Sequence, residues 1–178
     1  RPGDLYRFFD INPQVIAVAK DPSLFTYLRD TQANVDLVQG DARAMLEREN
    51  AARDPLYDIL FIDAYSGDSV PYHLTTKEAF EVYLRRLAPK GILAVHVSNW
   101  NIDLLPLCKS VSNALGLYAY GTVSREDGHV AGAVWVFMTK DAQEYIQLPD
   151  VRAINWDSVR DFPVPTDEKG SLLPLFRR

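Results

Sequence analysis

Residues 57–80 read YDILFIDAYSGDSVPYHLTTKEAF. Tyr57 to Ile62 is a continuous apolar run of strand length, as expected for a strand covered on both faces. Asp63 ends it, and an acidic, aromatic loop follows. Thr75-x-x-Glu78 is a capping box that predicts a helix through Leu87, with Phe80, Tyr83, Leu84 and Leu87 on one stripe. Pro89-Lys90-Gly91 ends that helix, and Ile92 to Val97 is the next buried strand. Strand, loop, helix and strand in this order mark a mostly parallel α/β sheet.

The same alternation extends in both directions. Upstream, Leu5 to Ile11 reads as a strand, and Asn12-Pro13 supplies an N-cap and a first-turn proline. Val15, Ile16 and Ala19 share one face of the helix that follows. Asp21-Pro22 repeats the start signal for a second short helix, with Phe25 and Leu28 inward. Val35 to Val38 is a strand ending at Gly40-Asp41, and a helix runs from about Ala42 to Ala52 with Met45 and Leu46 inward. Downstream, Leu104 to Leu115 is a helix closed by Gly116. Leu117 to Val123 and Val130 to Thr139 are strands joined by too short a connection for a parallel crossover, so they are expected to be antiparallel neighbours. Past Gln143 the pattern fades into a proline-bearing tail that wraps the body.

The chain has 178 residues, 47% hydrophobic and 24% charged, which suits one ordinary domain burying about 70% of its unfolded surface. Lys+Arg 19 against Asp+Glu 24 leaves a net charge of -5, which disfavours a sequence-independent nucleic-acid binder. Cys108 is the single cysteine, so an intrachain disulfide and a cysteine-rich zinc site are both excluded. That usage and the absence of an 18-residue apolar window suggest a reducing, cytoplasmic setting. The opening Arg1-Pro2-Gly3-Asp4 lacks an initiator Met and a signal pattern, which suggests a piece of a longer protein.

In open α/β sheets ligands bind beyond the carboxyl ends of the strands. The residues there are repeatedly acidic: Asp10, Asp41, Asp63 and Asp68. Asp10 can accept hydrogen bonds from both hydroxyls of a ribose, or it can help cap the helix at Pro13. Asp41 can accept from an adenine amino group, or serve as an ordinary N-cap. Asp63, Tyr65, Ser66 and Asp68 share one loop, where two carboxylates can hold an ammonium and take its proton; the alternative is a solvated turn with capping acids. His73, His96 and His129 lack metal-ligand spacing, and His96, inside a strand, reads as a satisfied core histidine. Cys108, within a helix, reads as inert packing.

FFDINP (Phe8 to Pro13), VQGDA (Val38 to Ala42), the Ile62 to Phe80 stretch and AVHVSN (Ala94 to Asn99) resemble the spermidine synthase family of polyamine aminopropyltransferases. The resemblance is strongest to a bacterial branch fused to a transporter-like membrane region, and it returns at PTDEKGSLLPLF (Pro165 to Phe176). It implies a class I S-adenosylmethionine-methyltransferase-like, Rossmann-like sheet, mostly parallel with an antiparallel last strand. It implies decarboxylated S-adenosylmethionine as donor, a polyamine such as putrescine as acceptor, and no metal. By the same resemblance Asp63 activates the attacking amine, and Tyr65, Ser66 and Asp68 line its site. Asp10 holds the donor's ribose, and Asp41 with Ala42 lies by its adenine.

Departures accompany the resemblance. The family's first strand and glycine-rich loop would precede Leu5, so a gap is expected between the strands of Asp10 and Asp63. Asn12 stands where the family has Asp, and Pro165 where an aromatic is common. The expected organisation is an N-terminally incomplete α/β domain over residues 1–142 and an irregular tail, 143–178, packed on it. The resemblance allows a homo-oligomer and a cytosolic domain of a membrane protein. Two other readings compete: a methyltransferase using S-adenosylmethionine, and a non-catalytic sensor or structural domain of a transporter-like protein.

Overall fold

The computed structural model describes residues 1–50, 52–64, 69–124, 132–141 and 151–177. Its contacts divide the chain into two units, Arg1–Arg53 and Asp54–Arg178.

The first unit is one strand–helix–strand repeat followed by a helix. Strand β1 (Leu5–Asp10) lies parallel to β2 (Asn34–Gln39), paired from Leu5↔Asn34 to Asp10↔Gln39. Helix α1 (Pro13–Lys20) starts as its sequence predicts: the Asn12 side chain accepts from the Gln14 amide, and Pro13 occupies the first turn. Ile16 and Ala19 are half-buried, but Val15 is exposed. The second start signal does not nucleate a helix. Asp21 instead closes a turn by accepting from the Ser23 amide at 2.9 Å and hydroxyl at 2.6 Å. Helix α2 (Tyr27–Asp30) is a single turn begun later, and Phe25 is exposed. Asp41 caps α3 (Ala42–Arg48), which ends short of Ala52 and buries Leu46. Arg7 ties the unit together: its Nε donates to Asp36 at 2.8 Å across the strand pair, and its Nη1 to Glu49 at 2.7 Å past α3.

The second unit holds a five-stranded sheet. Its strands are β3 (Tyr57–Ile62), β4 (Leu87–His96), β5 (Tyr118–Ser124), β6 (Val134–Thr139) and β7 (Val151–Ala153), in the order β3-β4-β6-β5-β7. β1 and β3 belong to different sheets. β3 and β4 are parallel; β6 is antiparallel to both β4 and β5, so β5 runs the same way as β4. This is the α/β arrangement with an antiparallel insertion expected from the short β5–β6 connection.

Helices α4 (Lys77–Arg86) and α5 (Leu105–Leu115) both pack against the Ile62 and Val95 face of this sheet. Phe80, Leu107 and Cys108 there meet Ile62, Val95 and Val97 around a small apolar cavity. Gly116 closes α5 at φ 64°, with its amide donating to Ser112 and Asn113 carbonyls.

Several local expectations are corrected. Thr76, not Thr75, is the N-cap of α4, accepting from the Ala79 amide. Glu78 accepts from the Asp167 amide at 3.0 Å rather than reaching back to the cap. Leu87 is not helical: β4 begins there and runs through Pro89 and Gly91, with a register break between Tyr57↔Leu87 and Ile59↔Ile92. A Cβ on Gly91 would stand 2.9 Å from the Tyr57 carbonyl, so this close crossing needs glycine. β3 is covered on one face only: Leu60 and Ile62 are buried, whereas Ile59 is 47% and Phe61 59% exposed.

The tail contributes β7, unforeseen from its sequence, which pairs antiparallel with β5. It also latches onto the α4 end of the unit. The Lys77 amide donates to the Pro165 carbonyl at 2.8 Å, Thr76 Oγ1 donates to Asp167 at 2.7 Å, and the Tyr72 hydroxyl donates to the Thr166 carbonyl at 2.9 Å. Burial raises the Tyr72 phenol, against the lowering effect of that hydrogen bond, and the Asp167 and Glu78 charges add to the rise.

Candidate active site

The parallel register of β3 and β4 builds the site. Ile62 pairs with Val95, so the next residues, Asp63 and His96, lie side by side at the carboxyl end. Alternation turns both away from the buried face of Ile62 and Val95. The result is a contact of 2.8 Å between His96 Nδ1 and Asp63 Oδ1. An ionised carboxylate only accepts, so the ring donates to it through Nδ1–H. The Asp63 side chain is 55% exposed, and that of His96 22%. The carboxylate is therefore open to solvent while the ring that holds it is sheltered.

The shelter comes from Trp135, the antiparallel partner of His96 on β6. The two rings lie with centroids 4.9 Å apart and planes 30° from parallel. Phe61 meets the same indole edge-on, at 5.9 Å and 89°. Beyond β4, buried Asn99 accepts from the Asn101 amide at 2.9 Å and the Ile102 amide at 2.8 Å, which holds the loop at this edge.

His96 corrects the sequence reading. It is not a core histidine satisfied within the core; it is half-buried and bonded to Asp63. The available signal was positional: Asp63 directly follows β3 and His96 ends the neighbouring β4. Tyr65, Ser66 and Asp68 lie outside the described residues, as does His129. His73 is exposed on a single 3-10 turn, Tyr72–Leu74. Burial pushes the Cys108 thiol up to about 12, with the charge of Asp103 adding to it, so it is no nucleophile near neutral pH. Among the described residues, no three His, Cys, Asp or Glu side chains cluster to hold a metal.

Asp10 and Asp41 stand together at the carboxyl edge of the first unit's sheet. Asp10 pairs with Gln39, and the Gly40 amide donates to the Asp10 carbonyl at 2.9 Å. Both carboxylates serve local turns. Asp10 Oδ1 accepts from the Asn12 amide at 2.7 Å, and Asp41 Oδ1 from the Ala44 amide at 2.9 Å, with Ala42 the first helical residue.

No family model matches the chain. A polyamine aminopropyltransferase of Chromobacterium violaceum is 33% identical over 91 residues, 51% of this chain and 31% of that protein. The likeness is to an aminopropyltransferase. The match spans about a third of that relative's length. Among solved structures, a probable spermidine synthase from Corynebacterium glutamicum superposes with TM-score 0.57, at 17% identity, covering 93% of this chain and 63% of that one. Human methyltransferase-like protein 13, solved in complex with SAH, gives 0.54 at 17% identity, covering 81% and 64%. These structures show that the fold is the one shared by aminopropyltransferase and methyltransferase domains.

Proposed function

We propose that this chain belongs to an aminopropyltransferase that moves an aminopropyl group from decarboxylated S-adenosylmethionine to a diamine such as putrescine. The observation that carries the reading is a solvent-open carboxylate, Asp63, at the carboxyl end of β3, in a chain similar in sequence to a polyamine aminopropyltransferase. An ammonium has no lone pair and cannot attack. Asp63 takes one proton from it, and the freed amine attacks the methylene carbon beside the sulfonium. The new C–N bond forms as the C–S bond breaks, and its electron pair leaves with sulfur as a neutral thioether. Because the leaving group is good, the protein mainly supplies alignment and the deprotonated amine.

In this reading Asp10 accepts from the ribose hydroxyls, and Asp41 with Ala42 lies against the adenine. Their position on one sheet edge supports it. Tyr65, Ser66 and Asp68 receive the amine. Acidic residues suit a donor of the S-adenosylmethionine type, whose sulfonium is cationic, and equally a cationic amine.

The test offers the full-length protein both decarboxylated and ordinary S-adenosylmethionine with a panel of diamines, and identifies products by mass. An aminopropylated amine is expected. Methyl transfer in its place, or turnover with neither donor, rejects the reading.

A further inference from the structure

We propose that His96 is a positioning residue for Asp63, fixing one carboxylate oxygen so that the other is presented to the attacking amine. The inference rests on Asp63 acting on that amine. A half-exposed aspartate at the start of a loop has free rotation about its side-chain bonds unless something holds it. Here the 2.8 Å bond from Nδ1 holds Oδ1. The ring cannot swing away, because its backbone lies within β4, paired to β6, and Trp135 lies against its face. Phe61 in turn meets Trp135 edge-on. Phe61, Asp63, His96 and Trp135 thus form one continuous ledge within the second unit.

The residue type fits the task. A lysine or arginine in this place would bring a full positive charge to the carboxylate, weakening it as a proton acceptor and repelling a cationic amine. An imidazole N–H can orient the oxygen without the permanent positive charge that lysine or arginine would bring. The arrangement has the logic of other orienting pairs, in which one hydrogen bond selects the useful lone pair of its neighbour.

Two substitutions separate this role from simple packing. His96→Phe keeps a flat ring against Trp135 and removes the N–H. His96→Asn keeps an N–H near the Nδ1 position and removes the ring. Steady-state aminopropyl transfer by the full-length protein is measured for each. A loss of kcat of about 10- to 100-fold is expected for His96→Phe, with KM for the donor within about twofold, while His96→Asn retains kcat within about threefold of the parent. The reverse order, or equal losses, overturns the proposal. Nitrogen NMR of the imidazole in folded parent and Asp63→Asn proteins tests the pair without turnover. A ring protonated at Nδ1, with a signal that moves in Asp63→Asn, is expected; a parent ring protonated only at Nε2 overturns the proposal. If the parent transfers no aminopropyl group, the functional reading fails, and the spectrum alone then decides whether His96 orients Asp63.

Discussion

The two units solve the same local problem differently. Each ends parallel strands in acids, but in the first unit those acids are bound by backbone amides two or three residues away, Asn12 to Asp10 and Ala44 to Asp41. In the second, Asp63 is bound by a side chain 33 residues away on the neighbouring strand. The cores differ too. Among the described residues of the first unit Leu46 is the buried hydrophobic, whereas Phe80, Tyr83, Leu93, Val111 and Met138 are fully buried in the second. A carboxylate spent on a cap stabilises its own helix. One held from across a sheet is placed by the fold, and that placement suits it to chemistry.

The largest expected effect comes from removing the cross-strand acid. Asp63→Asn is expected to lower aminopropyl transfer about 10²- to 10⁴-fold with an unchanged circular dichroism spectrum. Turnover equal to the parent would remove the distinction between the two kinds of acid. Next is the contrast of cores. Phe80→Ala is expected to cost about 3–5 kcal/mol in urea unfolding of the second unit, and Phe8→Ala, on an exposed position of β1, within about 1 kcal/mol. Similar costs at both sites would show the first unit to be better packed than its exposure indicates.

Asp41 sharpens the comparison further. Asp41→Ala is expected to lose about 1 kcal/mol of stability through the cap, while Asp41→Ser keeps the cap. If Asp41 also contacts the donor, both variants bind it more weakly in calorimetry; if it is a cap alone, the serine variant binds like the parent. The smallest effect concerns Cys108. Its thiol, pushed up to about 12, stays protonated in the fold, so iodoacetamide is expected to label native protein negligibly at pH 8 and fully after unfolding. Because the folded value lies above the unfolded one of 9.0, the associated stability is present below pH 9 and declines as pH rises toward 12. Labelling of native protein at pH 8 would mean the helix face of α5 opens.

Much of this was legible one residue at a time. Asn12-Pro13 and Gly116 start and stop helices through bonds a few residues long, and the short β5–β6 connection forces an antiparallel pair. Misreadings cluster where a distant segment intervenes. Thr76 replaces Thr75 as cap at the very point where the tail arrives, with Pro165 receiving the Lys77 amide and Asp167 bonding both Thr76 and Glu78. The apolar run of β3 suggested two covered faces, yet coverage depends on what packs there, and Ile59 and Phe61 are left open.

The sequence alone determined the alternation of strands and helices and the acids at strand ends, because hydrophobic periodicity, caps and turns act over a few residues. Only the tertiary structure decided that His96 meets Asp63 and that Trp135 lies against it. Strand register is a long-range property: it depends on which strands become neighbours and how they align, and a shift of β4 by one residue would turn His96 to the opposite face, away from Asp63 and Trp135.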